Sequence, residues 1–124
     1  MKLSPAYWPP RLAELTDSEV VQRISADAYV RAYVPVIGIV PKPALEDYSE
    51  RIKRGQVWLL SHENSAAGVL VLEPGDDWLT VYSIAVGPAF QGRGFGRMLL
   101  DWADHRATVV GAKELRLYTN ARIR

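Results

Sequence analysis

No cysteine occurs among the 124 residues, which excludes a disulfide framework and any zinc or redox centre built on thiolates. Histidine is nearly as scarce. His62 and His105 are the only two, far apart in the chain, so no metal site is expected. Neither sign of charge dominates: 15 Lys and Arg stand against 14 Asp and Glu, which argues against a dedicated nucleic-acid binder. Long apolar runs are missing too. The opening "MKLSPAYWPPRLAEL" has neither the apolar core of a secretion signal nor the length of a membrane span. The expectation is a cytoplasmic protein without a membrane partner. There are no internal repeats, low-complexity tracts or linkers, and the length fits one domain over residues 1–124.

What is present has the composition of an ordinary globular protein, 48% hydrophobic and 23% charged. The charge is unevenly spread. Residues 1–90 carry a balance of −3 and residues 91–124 one of +4. The basic end therefore contains "QGRGFGR" and is a candidate site for an anionic ligand.

Local patterns divide the chain into elements. "LTDSEVVQRISADAYVRAYV" offers Thr16, Asp17 or Ser18 as an N-cap and apolar residues at helical spacing, which predicts a helix over 18–33. "PVIGIVPKP" (35–43) reads as an apolar, proline-bounded loop, and "ALEDYSERIKRG" (44–55) as a second helix stopped by Gly55. The period then changes. "QVWLLSHE" (56–63), "AAGVLVLEP" (66–74) and "DWLTVYSIAV" (77–86) read as strands separated by hairpin turns. A helix over 94–109 follows, with Phe95, Met98, Leu99, Trp102 and Ala103 in one stripe, and "KELRLYTN" closes as a strand. A strand–helix–strand ending implies a parallel pair. The fold class expected is α/β (α+β), a mixed and mostly antiparallel sheet flanked by helices.

The three glycines Gly92, Gly94 and Gly96 stand where a strand hands over to a helix. A helix N-terminus with unpaired N–H groups favours anions. The phosphate loop of nucleotide hydrolases requires Gly-Lys-Ser/Thr at the helix start, whereas this chain has "GFGRM". The dinucleotide fingerprint fails as well, because Arg97 stands where its third glycine belongs and Tyr118-Thr119-Asn120 where its acidic residue belongs. A third pattern, Gln/Arg-x-x-Gly-x-Gly/Ala, is present as Gln91-Gly92-Arg93-Gly94-Phe95-Gly96, preceded by "SIAV" and followed by "MLLDWA" and "LRLYTN".

With these motifs the chain resembles the GNAT superfamily of acyl-CoA-dependent N-acetyltransferases, most strongly over 80–120 and in element order over 17–120. The resemblance implies that acetyl-CoA is the cosubstrate. Its pyrophosphate would lie on the backbone amides of residues 92–97, with Gln91, Gly92, Arg93, Gly94, Phe95, Gly96 and Arg97 forming the turn. Phe95 would point inward, and Arg93 or Arg97 would add a charged contact. Pantetheine would pair with the main chain of Ile84, Ala85 and Val86, and the Val86 N–H would polarise the thioester carbonyl.

The implied reaction is direct attack by a primary amine of a small molecule or peptide, with loss of a proton to a carboxylate or a water chain. The family often has a glutamate on the strand matching 77–86, but "WLTVYSIAV" has no carboxylate. Glu73 and Tyr82 are then the catalytic candidates, the latter, like Ser83, as a residue that orders water. The loop at 33–45 would line the acceptor pocket. Family members continue past "YTN" into a further helix and strands that include a tyrosine acid, so the fold is expected to lack that C-terminal part here. Strand 113–119 would then expose an edge through which the chain could form a homodimer. The alternative reading is a non-catalytic acyl-CoA-binding or oligomerising module that kept the cofactor turn.

Overall fold

The computed structural model describes residues 9–37 and 46–117, and within 29–37 the backbone alone. A five-stranded sheet in the order β1-β2-β3-β4-β5 forms the middle layer. Its strands are Arg11–Leu12 (β1), Val57–His62 (β2), Ser65–Pro74 (β3), Trp78–Val86 (β4) and Glu114–Leu117 (β5). β1 to β4 pair antiparallel, and β5 lies parallel to β4. The described helices are α1 (Ser18–Ile37), the short α2 (Ser49–Lys53) and α3 (Phe95–Val109).

The sheet is packed on both faces. Val21 and Ile24 of α1, with Tyr48 and Ile52, cover Val57, Leu59, Val69 and Val71 on one face. Phe95, Met98, Leu99, Ala103 and Ala107 of α3 cover Leu60, Leu70, Leu72, Leu79 and Val81 on the other. Strand β3 is sandwiched between helices, which explains why "AAGVLVLEP" is continuously apolar rather than alternating. Gly68 belongs to this packing, since a Cβ there would meet Leu99 Cδ1 at 2.9 Å.

A bulge decides which way β4 points. Leu72 pairs with Val81 but Val71 pairs with Ser83, so Tyr82 is the extra residue on β4. Before the bulge Leu79 and Val81 face α3, and after it Ile84 and Val86 do. The alternation has changed phase, and Tyr82 and Ala85 face the α1 side.

Two expectations need correction. The first helix continues through Pro35 to Ile37, beyond the boundary expected at 33. A proline this near the end removes a single N–H from the last turn and does not break what precedes it. The rest of the expected apolar loop, residues 38–43, and the first two residues of the expected second helix, 44 and 45, lie outside the described residues. Just before α1, Asp17 is the third residue of a short 3-10 turn, Leu15–Asp17, and closes its capping box: its carboxylate accepts from the Glu14 N–H at 2.7 Å and from Arg11 at 2.9 and 3.1 Å. The second helix is only Ser49–Lys53, because Asp47 turns the chain through its bond to the Ser49 N–H at 3.0 Å. β1, two residues long, is too short to leave a periodic signal in the sequence. The Glu63-Asn64 hairpin turn has positive φ at both residues, as a tight two-residue loop requires.

Candidate functional site

At the end of β4 the chain passes through Gly87 and a 3-10 turn, Pro88–Phe90, before reaching the glycines. The Gln91 side-chain amide donates to the Val86 carbonyl at 3.1 Å, so it ties the turn back to the strand end. Gly92 and Gly94 have φ of +77° and +86°, a region that L side chains adopt at a cost of about 1–2 kcal/mol. No atom lies within 4 Å of a Cβ built at either position. The space above them is open. A Cβ at Gly96 would instead touch Val86 Cγ2 at 3.8 Å, which shows how closely the turn approaches β4.

Gly94 is the N-cap of α3, and the helical ladder begins with the Met98 N–H on the Gly94 carbonyl at 3.1 Å. The amides of Gly96 and Arg97 precede that ladder, at the positive end of the helix dipole. Phe95 is buried beneath α3 and stacks edge-on against Phe90, with ring centroids 5.8 Å apart. The inward anchor expected at this position is therefore in place.

The two arginines of the turn differ. Arg93 stands 5.8 and 5.7 Å from the rings of Phe90 and Phe95, with its Nη2 3.4 Å from His62 Nε2. Arg97 is 79% exposed and pairs with Asp101, one helical turn on, at 3.4 Å. Of the two, Arg93 is the one prearranged beside the open glycines. Ile84, Ala85 and Val86 form the last three positions of β4, with Ala85 buried and its neighbours half-buried. The described ladder to β5 spans Trp78–Val81 against Glu114–Leu117.

A second constellation lies on the α1 face, at the bulge. The Tyr82 hydroxyl donates to Glu46 Oε1 at 2.6 Å. Arg51 Nε donates to Glu46 Oε2 at 2.5 Å, and Arg51 Nη1 donates to Gln56 Oε1 at 3.0 Å and Glu73 Oε2 at 2.9 Å. The guanidinium also lies 3.8 Å above the Tyr82 ring. Burial, together with the bond to Glu46, pushes the Tyr82 phenol well above its ordinary pKa, so it stays protonated as a donor. Burial works against the Arg51 cation, but its bonds to Glu46 and Glu73 prevail and hold its pKa up.

Both catalytic candidates from the sequence, Glu73 and Tyr82, thus belong to one network joined through Arg51 and Glu46. Glu46 itself was not anticipated. It lies 36 residues before Tyr82 in an irregular segment, and no local pattern marks such a pairing.

A mixed sheet with a bulged fourth strand, followed by an open glycine turn at a helix N-terminus, defines an α/β fold with backbone amides facing open space at the end of β4. The model of the acetyltransferase (GNAT) family matches residues 23–122, and the chain belongs to that family. No curated protein sequence matches it. Among solved structures it is similar to the PaiA N-acetyltransferase of Thermoplasma acidophilum in complex with coenzyme A. That match has a TM-score of 0.76 and 17% identity, over 93% of this chain and 80% of that one. It is also similar to a GNAT family acetyltransferase of Brucella melitensis in complex with acetyl-CoA, with a TM-score of 0.69, 16% identity and coverage of 90% and 75%. N-acetylglutamate synthase of Neisseria gonorrhoeae, complexed with coenzyme A and N-acetyl-glutamate, matches with a TM-score of 0.71 and 21% identity, over 92% of this chain and 26% of that one. Among the described residues no helix is long and apolar enough to cross a membrane.

Proposed function

We propose that this protein transfers the acetyl group of acetyl-CoA to a primary amine of a small molecule or peptide, by direct attack of the amine on the thioester. The observation that carries the reading is the open glycine turn tied to the end of β4. Gly92 and Gly94 hold a left-handed backbone beside empty space, and Gln91 fastens that turn to Val86. Such a cradle suits the pyrophosphate of coenzyme A, held by backbone amides of residues 92–97 and by the guanidinium of Arg93. Pantetheine then runs along the main chain of Ile84, Ala85 and Val86, which brings the thioester to the strand end, where a backbone N–H polarises its carbonyl.

The chain supplies binding and orientation in this scheme, and the thioester supplies the activated acyl group. Calorimetry with acetyl-CoA, followed by measurement of thiol release across a panel of primary amines, tests the proposal. Saturable binding with amine-dependent release of coenzyme A is expected. Absence of acetyl-CoA binding by the folded protein would overturn it.

A further inference from the structure

Acetylation moves a proton from the amine nitrogen to sulfur, and an amine arriving as ammonium must first lose another before its nitrogen can attack. Strand β4, "WLTVYSIAV", contains no carboxylate to receive it. We infer that Glu46, carried outside the sheet, is the proton acceptor of the reaction and is held at β4 by Tyr82 and Arg51. This inference rests on the acetyl-transfer reading above.

Three observations support it. The first is placement. The Tyr82 hydroxyl, 2.6 Å from Glu46 Oε1, belongs to the bulge residue of β4, so a carboxylate from far upstream is delivered to the strand that lacks one. The second is access. Tyr82 is only 3% exposed, whereas the Glu46 side chain keeps 18% of its surface open. Glu46, unlike Tyr82, can therefore be reached by a proton, directly or through one water. The third is charge. Glu46 and Glu73 share the single guanidinium of Arg51. These three side chains together carry one net negative charge. Glu73 is the weaker candidate, because its side chain is 45% exposed and its pair with Arg51 is screened by water. Tyr82 and Arg51 act as positioning residues, since each fixes one oxygen of Glu46.

The step balances. The ammonium gives one proton to the Glu46 carboxylate. The freed nitrogen pair forms the C–N bond at the thioester carbonyl carbon, and the C–S bond breaks with its pair going to sulfur. The sulfur takes the second proton from nitrogen, leaving amide and thiol. The Glu46 carboxyl then returns its proton to water.

The test is steady-state release of coenzyme A across the pH range, using the most active of benzylamine, tyramine, lysine and a glycine-led tripeptide. Glu46→Gln is expected to lower kcat by about 10²–10⁴-fold, to leave KM for acetyl-CoA unchanged and to abolish the acid limb of the pH profile. Glu46→Asp should restore part of kcat and the limb. Tyr82→Phe removes a donor to the carboxylate and should move the acid limb to higher pH. The exposed Glu50→Gln should match wild type, and Glu73→Gln should cost less than Glu46→Gln.

Thermal melts accompany every variant. If Glu46→Gln fails to fold, the acid limbs of Glu46→Asp and Tyr82→Phe decide, and unshifted limbs in both overturn the inference. A wild type that acetylates an amine while Glu46→Gln keeps its kcat and pH profile overturns this inference alone. A folded wild type that binds no acetyl-CoA, or binds it and acetylates none of the panel, overturns the acetyl-transfer reading and this inference with it.

Discussion

Replacing Gly94 by alanine separates the cost of the turn from its use. Its φ of +86° lies in the left-handed region, where a Cβ costs about 1–2 kcal/mol. No steric cost adds to this, because no atom lies within 4 Å of the new Cβ. Against a typical domain stability of about 5–15 kcal/mol the protein stays folded, with a melting temperature lower by several degrees. Binding responds differently, because the methyl group enters the space assigned to the pyrophosphate. Each charge-assisted amide bond displaced is worth about 1.5–3 kcal/mol, so loss of one should lower acetyl-CoA affinity by roughly 10- to 150-fold.

Gly96→Ala is the matched control. Its Cβ would touch only Val86 Cγ2, at 3.8 Å, and the position is helical. The fold should gain about 0.5–1 kcal/mol, with affinity changed by less than about tenfold. Calorimetry with acetyl-CoA and a thermal melt on each variant provide both readouts. Gly94→Ala at wild-type affinity but with a lowered melting temperature would refute the placement of the ligand. Gly96→Ala weakened as much as Gly94→Ala would refute the reasoning that open space distinguishes the two positions.

Leu99→Ala removes a fully buried side chain between α3 and β3 and should cost about 2–5 kcal/mol by denaturant titration. In that background Gly68→Ala should cost less than in wild type, because the clash with Leu99 Cδ1 at 2.9 Å is gone. The bond from Arg11 holds the Asp17 carboxyl below its usual pKa. Its stabilising contribution is therefore complete above the ordinary value of about 3.9 and is lost as pH falls through the lower folded value. Wild type should then exceed Asp17→Asn in stability at neutral pH by at most about 1 kcal/mol, with the difference gone in strong acid. β5 ends the sheet among the described residues, with Leu117 60% exposed. Association of two copies through this edge predicts a concentration-dependent dimer in light scattering that Leu117→Lys weakens. A monomer at all concentrations would count against it.

Features encoded by near neighbours were legible in the sequence. The glycine spacing at 92, 94 and 96, the stripe from Phe95 to Ala103 and the succession of hairpin strands each depend on residues within a turn or two of one another. Backbone geometry alone converts such spacing into a face or a turn. The parallel pairing of β5 followed too, because a strand–helix–strand connection leaves little choice of hand or direction. Tertiary structure decided the rest. The bulge at Tyr82 moves the phase of β4 by one residue, and only the register against β3 fixes where that extra residue falls. The meeting of Glu46, Arg51, Glu73 and Tyr82 depends on folding an irregular segment back against the sheet. A hydrogen bond across 36 residues leaves no periodicity to read. The sequence thus determined where the open glycine turn falls, and the folding of the chain against the sheet determined which carboxylate stands beside β4.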